Sequence, residues 1–305
     1  MFLVCTLLNK IDKLTSSIIK IVRVTQKNKM TTIAYLGPVG TNSETVALSY
    51  RKSILNDLTV ELKPYPSIAK VMEALAKGQV NWAVVPVENS TAGGVAITLD
   101  GLWEFDTLHI HKELVLPICH LLLSSGTSLE DIKTVYSHPQ ALAQCQKWLE
   151  VNLPKAEIIP TNSTTEALEH IKGEANVAAI ASPRAAETYD LPILASEISD
   201  YSDNCTRFWV LSRQVSRIGR RISLAFSVSQ NVPGALVRPL QALANRQLNL
   251  SRIESRPTKR SLGEYIFFLD LEVTQSEDQT QMALEELSQY VEILKIFGRY
   301  EVSLI

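Results

Sequence analysis

The chain has 305 residues, of which 46% are hydrophobic and 20% are charged, and these fractions are close to ordinary globular usage. They exclude a disordered chain, a collagen-like fibre and a coiled coil. Thirty Lys and Arg against 32 Asp and Glu give a net charge of −2, so the composition does not indicate a nucleic-acid-binding protein. The four cysteines are far apart and form no CxxC pair, which excludes a disulfide scaffold and predicts a protein of the reducing cytoplasm.

Residues 1–29 differ in charge from the rest of the chain. They hold six Lys or Arg and a single acid, Asp12. Their apolar start lacks a preceding positive region and a following cleavage site, so it does not predict a secretory signal. It breaks at residues 9–10, far short of the roughly 20 residues that span a membrane. We expect either a start at Met30 or a loose tail, and no membrane association.

Between residues 30 and 213, short apolar runs alternate with amphipathic stretches. One of these stretches has helical spacing after the N-cap candidate Ser67. The alternation predicts an α/β region with largely parallel sheets, because parallel neighbours need a crossover helix. An extended run at 109–124 predicts a segment that passes between two lobes. The predicted strands lie at residues 33–36, 59–62, 82–85, 135–136, 157–159, 177–180 and 208–211.

The pattern changes near residue 214. Residues 214–221 contain three Arg, one Gly and little apolar content, as is typical of a linker. Residues 222–305 then follow the order βαββαβ, which is the ferredoxin-like pattern. We expect the last strand, at about 291–302, to break at Gly298.

Short polar side chains follow four of the predicted strands, where helices begin. Such strand ends converge on one crevice in open α/β sheets, and helix N-termini there suit a small anion. Two of these segments also fit a capping box, which stabilises a helix without any ligand. The four polar segments are residues 37–44, 86–94, 137–141 and 161–166.

Several motifs of cofactor and nucleophile chemistry are absent from the sequence. It has no GxGxxG, P-loop, GxSxG or metal-spaced His/Cys set. His109 and His111 alternate on a predicted strand, but two histidines alone are a weak metal signal. We therefore expect no metal and no cofactor, and a chemistry carried by hydrogen bonds.

Four short motifs stand out along the first part of the chain. In chain order they are GPVGT at 37–41, VPVENS at 85–90, SHPQALAQC at 137–145 and, the most specific, Asn204-Cys205-Thr206-Arg207-Phe208. In this order they resemble the prephenate dehydratase family with a C-terminal ACT domain. In the C-terminal part, 233–237 and 254–257 resemble the family's two effector-binding motifs, and the resemblance covers residues 33 to about 302.

The resemblance implies a catalytic region with two lobes like the type 2 periplasmic binding proteins, followed by a ferredoxin-like ACT domain. The chain would cross between lobes near 105–115 and return near 197–205. The predicted divisions are a basic extension (1–29), the catalytic domain (30–213), a linker (214–221) and the ACT domain (222–305). The implied assembly is a homodimer or homotetramer, because ACT domains typically pair side by side.

The implied reaction converts prephenate to phenylpyruvate, water and CO2 in L-phenylalanine biosynthesis, under control of an aromatic amino acid such as L-phenylalanine. Two alternatives stay open. An arogenate dehydratase would use a substrate whose side chain bears an amino group. A non-catalytic amino-acid sensor would also suit a two-lobed cleft.

By resemblance, Thr206 and Arg207 are the catalytic candidates. Thr206 would donate to the leaving hydroxyl, and Arg207 would bind a carboxylate through its fork of N–H groups. Adjacent strand residues face opposite sides, so Arg207 may instead brace the site, and both roles stay open. The candidate substrate-binding residues are Thr41, Asn89, Ser90, Ser137, Gln144, Ser163, Thr164 and Phe208, the last also suiting a core position. The candidate effector residues are Gly234, Ala235, Leu236, Glu254, Ser255 and Arg256.

Overall fold

The computed structural model describes residues 30–54, 59–230, 232–273 and 276–305. The expectations for the basic extension at 1–29 lie outside these residues. Within the described ranges, no helix has the length and apolar character needed to cross a bilayer. The helices are α1 (Asn42–Ile54), α2 (Ile68–Ala76), α3 (Ala96–Glu104), α4 (Pro139–Gln144), α5 (Gln146–Asn152), α6 (Pro183–Tyr189), α7 (Val237–Ala244) and α8 (Glu277–Ser288).

The described strands form two sheets, one of ten strands and one of five. The larger has the order β13-β14-β12-β15-β5-β11-β3-β1-β2, with β4 paired to β3, and the smaller has the order β10-β6-β9-β7-β8. Their bounds are β1 (Thr31–Leu36), β2 (Val60–Tyr65), β3 (Trp82–Asn89), β4 (Gly93–Gly94), β5 (His109–Pro117), β6 (Leu121–Ser124), β7 (Thr134–Ser137), β8 (Glu157–Pro160), β9 (Val177–Ala181), β10 (Ile193–Ala195), β11 (Cys205–Ser212), β12 (Arg221–Ser227), β13 (Asn249–Pro257), β14 (Tyr265–Glu272) and β15 (Ile293–Leu304).

The N-terminal region has two lobes, as the sequence predicts. The first lobe contains β1–β5 and β11 with α1–α3, and the second contains the five-stranded sheet with α4–α6. The chain passes to the second lobe at residues 118–120, after β5, and returns between β10 and β11. Because β5 and β11 pair along their lengths, both passages lie side by side.

The C-terminal domain has the predicted βαββαβ order, with strand order β13-β14-β12-β15. Its helices α7 and α8 cover one face of the sheet. Their inner residues, such as Leu243 and Leu287, are buried against Leu224 and Leu271 of the strands. The other face turns towards the first lobe, where Phe268 and Phe297 join the buried layer that contains α2 and α3.

The predicted break at Gly298 is wrong, because β15 runs continuously from Ile293 to Leu304. Its first part pairs with β12 and its last residues pair in parallel with β5, so one sheet spans both domains. Gly298 marks a register shift in the β12 pairing and has a φ of +146°. A Cβ there would collide with the carbonyl oxygen of Ile110. The glycine thus permits close strand contact instead of ending the strand.

Strand β11 alternates between two apolar layers. Phe208 and Val210 are buried under α1, whereas Trp209 and Leu211 are buried on the side of α2 and α3. Since successive strand residues face opposite sides, Thr206 lies on the α1 side and Arg207 on the side of the C-terminal domain.

Candidate active site

Thr206 and Asn89 lie directly opposite each other in the β11–β3 ladder. The Nδ2 atom of Asn89 donates to Oγ1 of Thr206 at 2.9 Å. Both side chains are buried, with exposures of 9% for Thr206 and 5% for Asn89. Because the Thr206 oxygen accepts from Asn89, the hydroxyl proton remains available to a further acceptor.

Neighbouring backbone groups fix the orientation of the Asn89 amide. The backbone N–H groups of Thr91 and Ala92 both donate to Asn89 Oδ1, at 3.2 and 3.0 Å. A backbone N–H can act as a donor and never as an acceptor. The oxygen must therefore face the loop after β3, and the Asn89 NH₂ group must face Thr206 and Asn204.

Gln144 extends this network from the second lobe. Its Nε2 atom donates to Asn89 Oδ1 at 3.1 Å and to Thr91 Oγ1 at 2.6 Å. Gln144 is the last residue of the short helix α4, where it is buried against the first lobe. The network therefore joins the two lobes at the position of Thr206.

Three further members of the network were not among the predicted site residues. Asn204 donates to Gln144 Oε1 at 3.1 Å, and His120 Nε2 lies 2.8 Å from the same oxygen. Since an amide oxygen accepts, Nε2 of His120 carries the proton. Burial lowers the pKa of His120 below its ordinary value, and the hydrogen bond to Gln144 opposes this shift. Thr91, the third member, accepts from Gln144 and donates to Asn89.

Ser90 closes the network on the exposed side. Its hydroxyl donates to Asn204 Oδ1 at 3.2 Å and accepts from the backbone N–H of Cys205 at 3.0 Å. Asn204 is the first residue of the motif that contains Thr206, so the motif could have identified Asn204 as a site residue. His120 follows an extended strand with no motif around it, and nothing in its spacing singles it out.

Arg207 faces away from Thr206 and points towards the C-terminal domain. Its guanidinium donates to Glu88 and Asp270 at 2.7 Å, and binds Glu113 through two N–H groups at 3.0 and 2.7 Å. Burial would lower the pKa of Arg207, but the Glu113 and Asp270 carboxylates hold that pKa well above its ordinary value. Of the two roles left open for Arg207, this geometry supports bracing over contact with a substrate.

The other predicted substrate-binding residues are not part of the network around Thr206. The Thr41 hydroxyl caps its own loop and helix, and the Ser163 hydroxyl accepts from the backbone N–H of Glu166. Ser137 is fully buried and donates to the carbonyl of Ile180. Thr164 is half-buried, and Phe208 is buried in the core beneath α1.

A second contact between the lobes lies at the start of α1. The Glu44 carboxylate accepts from the backbone N–H of Gly40 at 2.8 Å and from Arg184 of α6 at 3.0 Å. Ser182 donates across the lobes to the Gly40 carbonyl at 2.9 Å. A cavity of about 580 Å³ lies beside this contact, lined by residues of both lobes that include Arg184 and Leu116. Leu116 is the ladder partner of Thr206.

The prephenate dehydratase family model matches residues 33–216, and the ACT domain model matches residues 222–289. The chain belongs to the prephenate dehydratase family. A bifunctional chorismate mutase/prephenate dehydratase of Aquifex aeolicus is 39% identical over 90% of this chain and 74% of its own length. The prephenate dehydratase of Lactococcus lactis is 37% identical over 88% of this chain and 97% of its own length.

A solved structure agrees with this assignment. The prephenate dehydratase of Arthrobacter aurescens, in complex with L-Phe, has a TM-score of 0.79 and 33% identity, and the match covers 89% of this chain and 90% of that one. The two-lobed region is thus the prephenate dehydratase domain, and the C-terminal domain is an ACT domain.

The two predicted effector motifs of the ACT domain lie apart in the chain. Gly234 and Ala235 line a cavity of about 460 Å³ near Tyr290, and Leu236 packs on the domain core. In the second motif, the exposed Ser255 is flanked by Glu254 and Arg256, whose side chains are half-buried.

Arg256 and Glu254 contact the prephenate dehydratase domain. Arg256 binds both carboxylate oxygens of Asp100 in α3, at 3.0 and 3.1 Å. Glu254 lies so close to Gly94 that a Cβ on that glycine would collide with its carboxylate. The second motif therefore forms part of the contact between the two domains.

Proposed function

We propose that the site around Thr206 carries out the decarboxylative dehydration of prephenate. The observation that supports this most directly is the hydrogen bond from Asn89 to Thr206, because it holds a buried hydroxyl with its proton free to donate. The site is built from residues of both lobes, with Asn89 and Thr206 on one side and Gln144 on the other.

Prephenate carries two carboxylates and a hydroxyl on a cyclohexadiene ring. As the bond from the ring to its carboxylate breaks, that electron pair enters the ring and the C–O bond to the hydroxyl breaks on the opposite carbon. The products are CO2, phenylpyruvate and a hydroxide that takes up a proton to become water. Aromatisation drives the reaction, so the main need is to stabilise the departing oxygen.

Thr206 would donate its hydroxyl proton in a hydrogen bond to that departing oxygen. The Asn89 N–H stabilises the negative charge that builds on Thr206 Oγ1 as it donates. Solvent then supplies the proton that completes the water molecule. Positioned donors of this kind typically contribute about 10²–10³-fold to a rate.

The two carboxylates need cationic or N–H partners other than Arg207, which is engaged by three carboxylates of the protein. Three cations line the cavity between the lobes, namely Arg51, Lys52 and Arg184. Arg184 also lies at the contact with Glu44, beside the start of α1. We assign Arg184 as a carboxylate partner, assisted by the N-terminus of α1, where backbone N–H groups favour anions.

Purified protein incubated with prephenate tests this function, with phenylpyruvate as the measured product. Arogenate is compared in the same assay, because the sequence motifs do not distinguish the two substrates. A higher kcat/KM for arogenate would make the chain an arogenate dehydratase. If neither substrate is converted, the chain would be a binding or sensing protein.

For the ACT domain, we infer control by an aromatic amino acid, with L-phenylalanine as the first candidate. Support comes from the cavity at Gly234 and Ala235, and from the L-Phe bound by the similar Arthrobacter aurescens protein. The resemblance implies that ACT domains pair side by side, so the ligand would lie between two copies. We therefore expect a homodimer or homotetramer. The test is the change in turnover and in sedimentation when L-phenylalanine is added.

A further inference from the structure

The interface between the two domains contains a buried cluster of charged side chains directly behind the active site. Arg207 is its centre and binds Glu88 and Glu113 of the catalytic domain and Asp270 of the ACT domain. Glu113 also accepts from Trp209 and from Arg221 of β12. Glu113 is fully buried and Asp270 is 2% exposed, so water weakens the contacts of these two carboxylates less than it would at the surface.

The charge cluster and the active site occupy consecutive positions on the same two strands. Asn89 pairs with Thr206 in the β3–β11 ladder, and Glu88 pairs with Arg207 at the next position. The two pairs face opposite sides of the sheet. A force on Arg207 or Glu88 from the ACT domain therefore acts one residue away from Thr206 and Asn89.

Asp270 is held firmly within the ACT domain. Its second oxygen accepts from the hydroxyl of Ser223, which contacts the hydroxyl of Tyr300. Asp270 lies on β14, and Ser223 and Tyr300 lie on the paired strands β12 and β15. A shift of the ACT sheet would therefore carry the Asp270 carboxylate with it.

We propose that Asp270 of the ACT domain is a positioning residue for catalysis, acting through Arg207. Its carboxylate holds the Arg207 guanidinium, and so fixes the part of β11 that places Thr206 against Asn89. An effector that moves the ACT sheet would change turnover at this position. This inference rests on the proposed function, because it concerns the regulation of the same site.

The test compares Asp270→Asn with wild type in the prephenate assay, with and without L-phenylalanine. The variant keeps the side-chain shape but removes the charge that binds Arg207. We expect kcat to fall about tenfold with KM changed less than twofold, and the rate change caused by L-phenylalanine to shrink by at least half. The matched control is Asp106→Asn, which removes another pair between the domains, with Lys295, and should leave kcat and the response unchanged.

A double substitution examines whether the effect passes through Arg207. If it does, Asp270→Asn should add less than twofold to the kcat loss of Arg207→Gln, since interacting residues are not additive. If Asp270→Asn fails to fold, Arg252→Gln serves instead, because Arg252 lies 3.5 Å from Glu88 and 4.0 Å from Asp270. Like Asp270→Asn, this variant should lower kcat and reduce the rate change caused by L-phenylalanine.

The outcomes separate this inference from the proposed function. A wild type that converts neither prephenate nor arogenate would overturn the proposed function, and the inference with it. An active wild type whose folded Asp270→Asn or Arg252→Gln variant keeps normal kcat and normal response would overturn the inference alone. Loss of activity to the same degree in Asp106→Asn would also overturn it, because any weakening of the interface would then suffice.

Discussion

Asn89 and Thr206 are cross-strand partners, and the Asn89 amide donates to the Thr206 hydroxyl at 2.9 Å. Two backbone N–H groups hold the other end of that amide, so its orientation does not depend on a bound ligand. The Thr206 hydroxyl is therefore oriented before a substrate arrives. Such preorganisation is the main source of electrostatic stabilisation in enzyme sites.

Gln144→Glu should lower kcat about ten- to a hundredfold. The carboxylate keeps the size of the side chain and can still accept from His120 and Asn204. It cannot donate to Asn89 Oδ1 or Thr91 Oγ1, which lose a buried donor worth about 1–3 kcal/mol. Steady-state kinetics with prephenate measure the change. Gln140→Glu is the control, because Gln140 is exposed on the same helix. Equal kinetics for the two variants would contradict the role of this network.

Arg184→Gln should raise KM for the substrate about five- to tenfold, with a smaller effect on kcat. The substitution removes a cation that lines the interlobe cavity and releases Glu44 from the second lobe. The measurement is the dependence of initial rate on substrate concentration. Glu187→Gln is the control, since that carboxylate is 72% exposed and 3.6 Å from Arg184, where pairs contribute little. An unchanged KM in Arg184→Gln would refute the assignment of this cation.

The stability of the fold should decrease as the pH falls below about 6.5, the ordinary pKa of histidine. Burial lowers the pKa of His120, His109 and His111 in the folded protein. Below pH 6.5 the unfolded chain binds protons that the folded chain does not, so unfolding becomes more favourable. Stability is retained above this range and is lost as the pH falls towards the lowered values.

Thermal unfolding of His120→Asn between pH 7.5 and 5.5 measures how much His120 contributes to the pH dependence of stability. The asparagine does not titrate, so the Tm should fall less steeply with pH than in wild type. The remaining dependence would come from His109 and His111. A wild-type slope in His120→Asn would show that His120 does not contribute.

Regular alternation in strands allowed much of this arrangement to be predicted from the sequence. The order of strand and helix patterns predicted the α/β region and the βαββαβ domain, whereas the two lobes were implied by the family resemblance. Strand alternation had a further use. It also showed that Thr206 and Arg207 cannot share a side, because a strand turns successive side chains to opposite faces. Strand alternation could not show which residues Arg207 contacts, because Asp270 lies 63 residues further along the chain.

Polar residues at helix starts were harder to assign. Ser163 and Thr41 have the same residue types and placement as ligand-binding side chains, but their hydroxyls accept from nearby backbone N–H groups, those of Glu166 and Glu44. Gln144 instead reaches Asn89, 55 residues away. The same types of side chain form local capping bonds and long-range hydrogen bonds. Which of the two a given side chain forms depends on the packing between the lobes. His120 could not be predicted for the same reason, because its hydrogen bond to Gln144 joins residues that are distant in the sequence.

The turnover of Thr206→Ala tests the central claim most directly. The variant removes the hydroxyl proposed as the donor to the leaving group and leaves Asn89 held by the backbone N–H groups of Thr91 and Ala92. Thermal unfolding confirms that it is folded, and Thr206→Ser restores the hydroxyl as a control. We predict that phenylpyruvate formation from prephenate has a kcat at least tenfold below wild type in Thr206→Ala and much closer to wild type in Thr206→Ser. A folded Thr206→Ala protein with near-normal kcat would contradict the assignment of this hydroxyl as the donor to the leaving group.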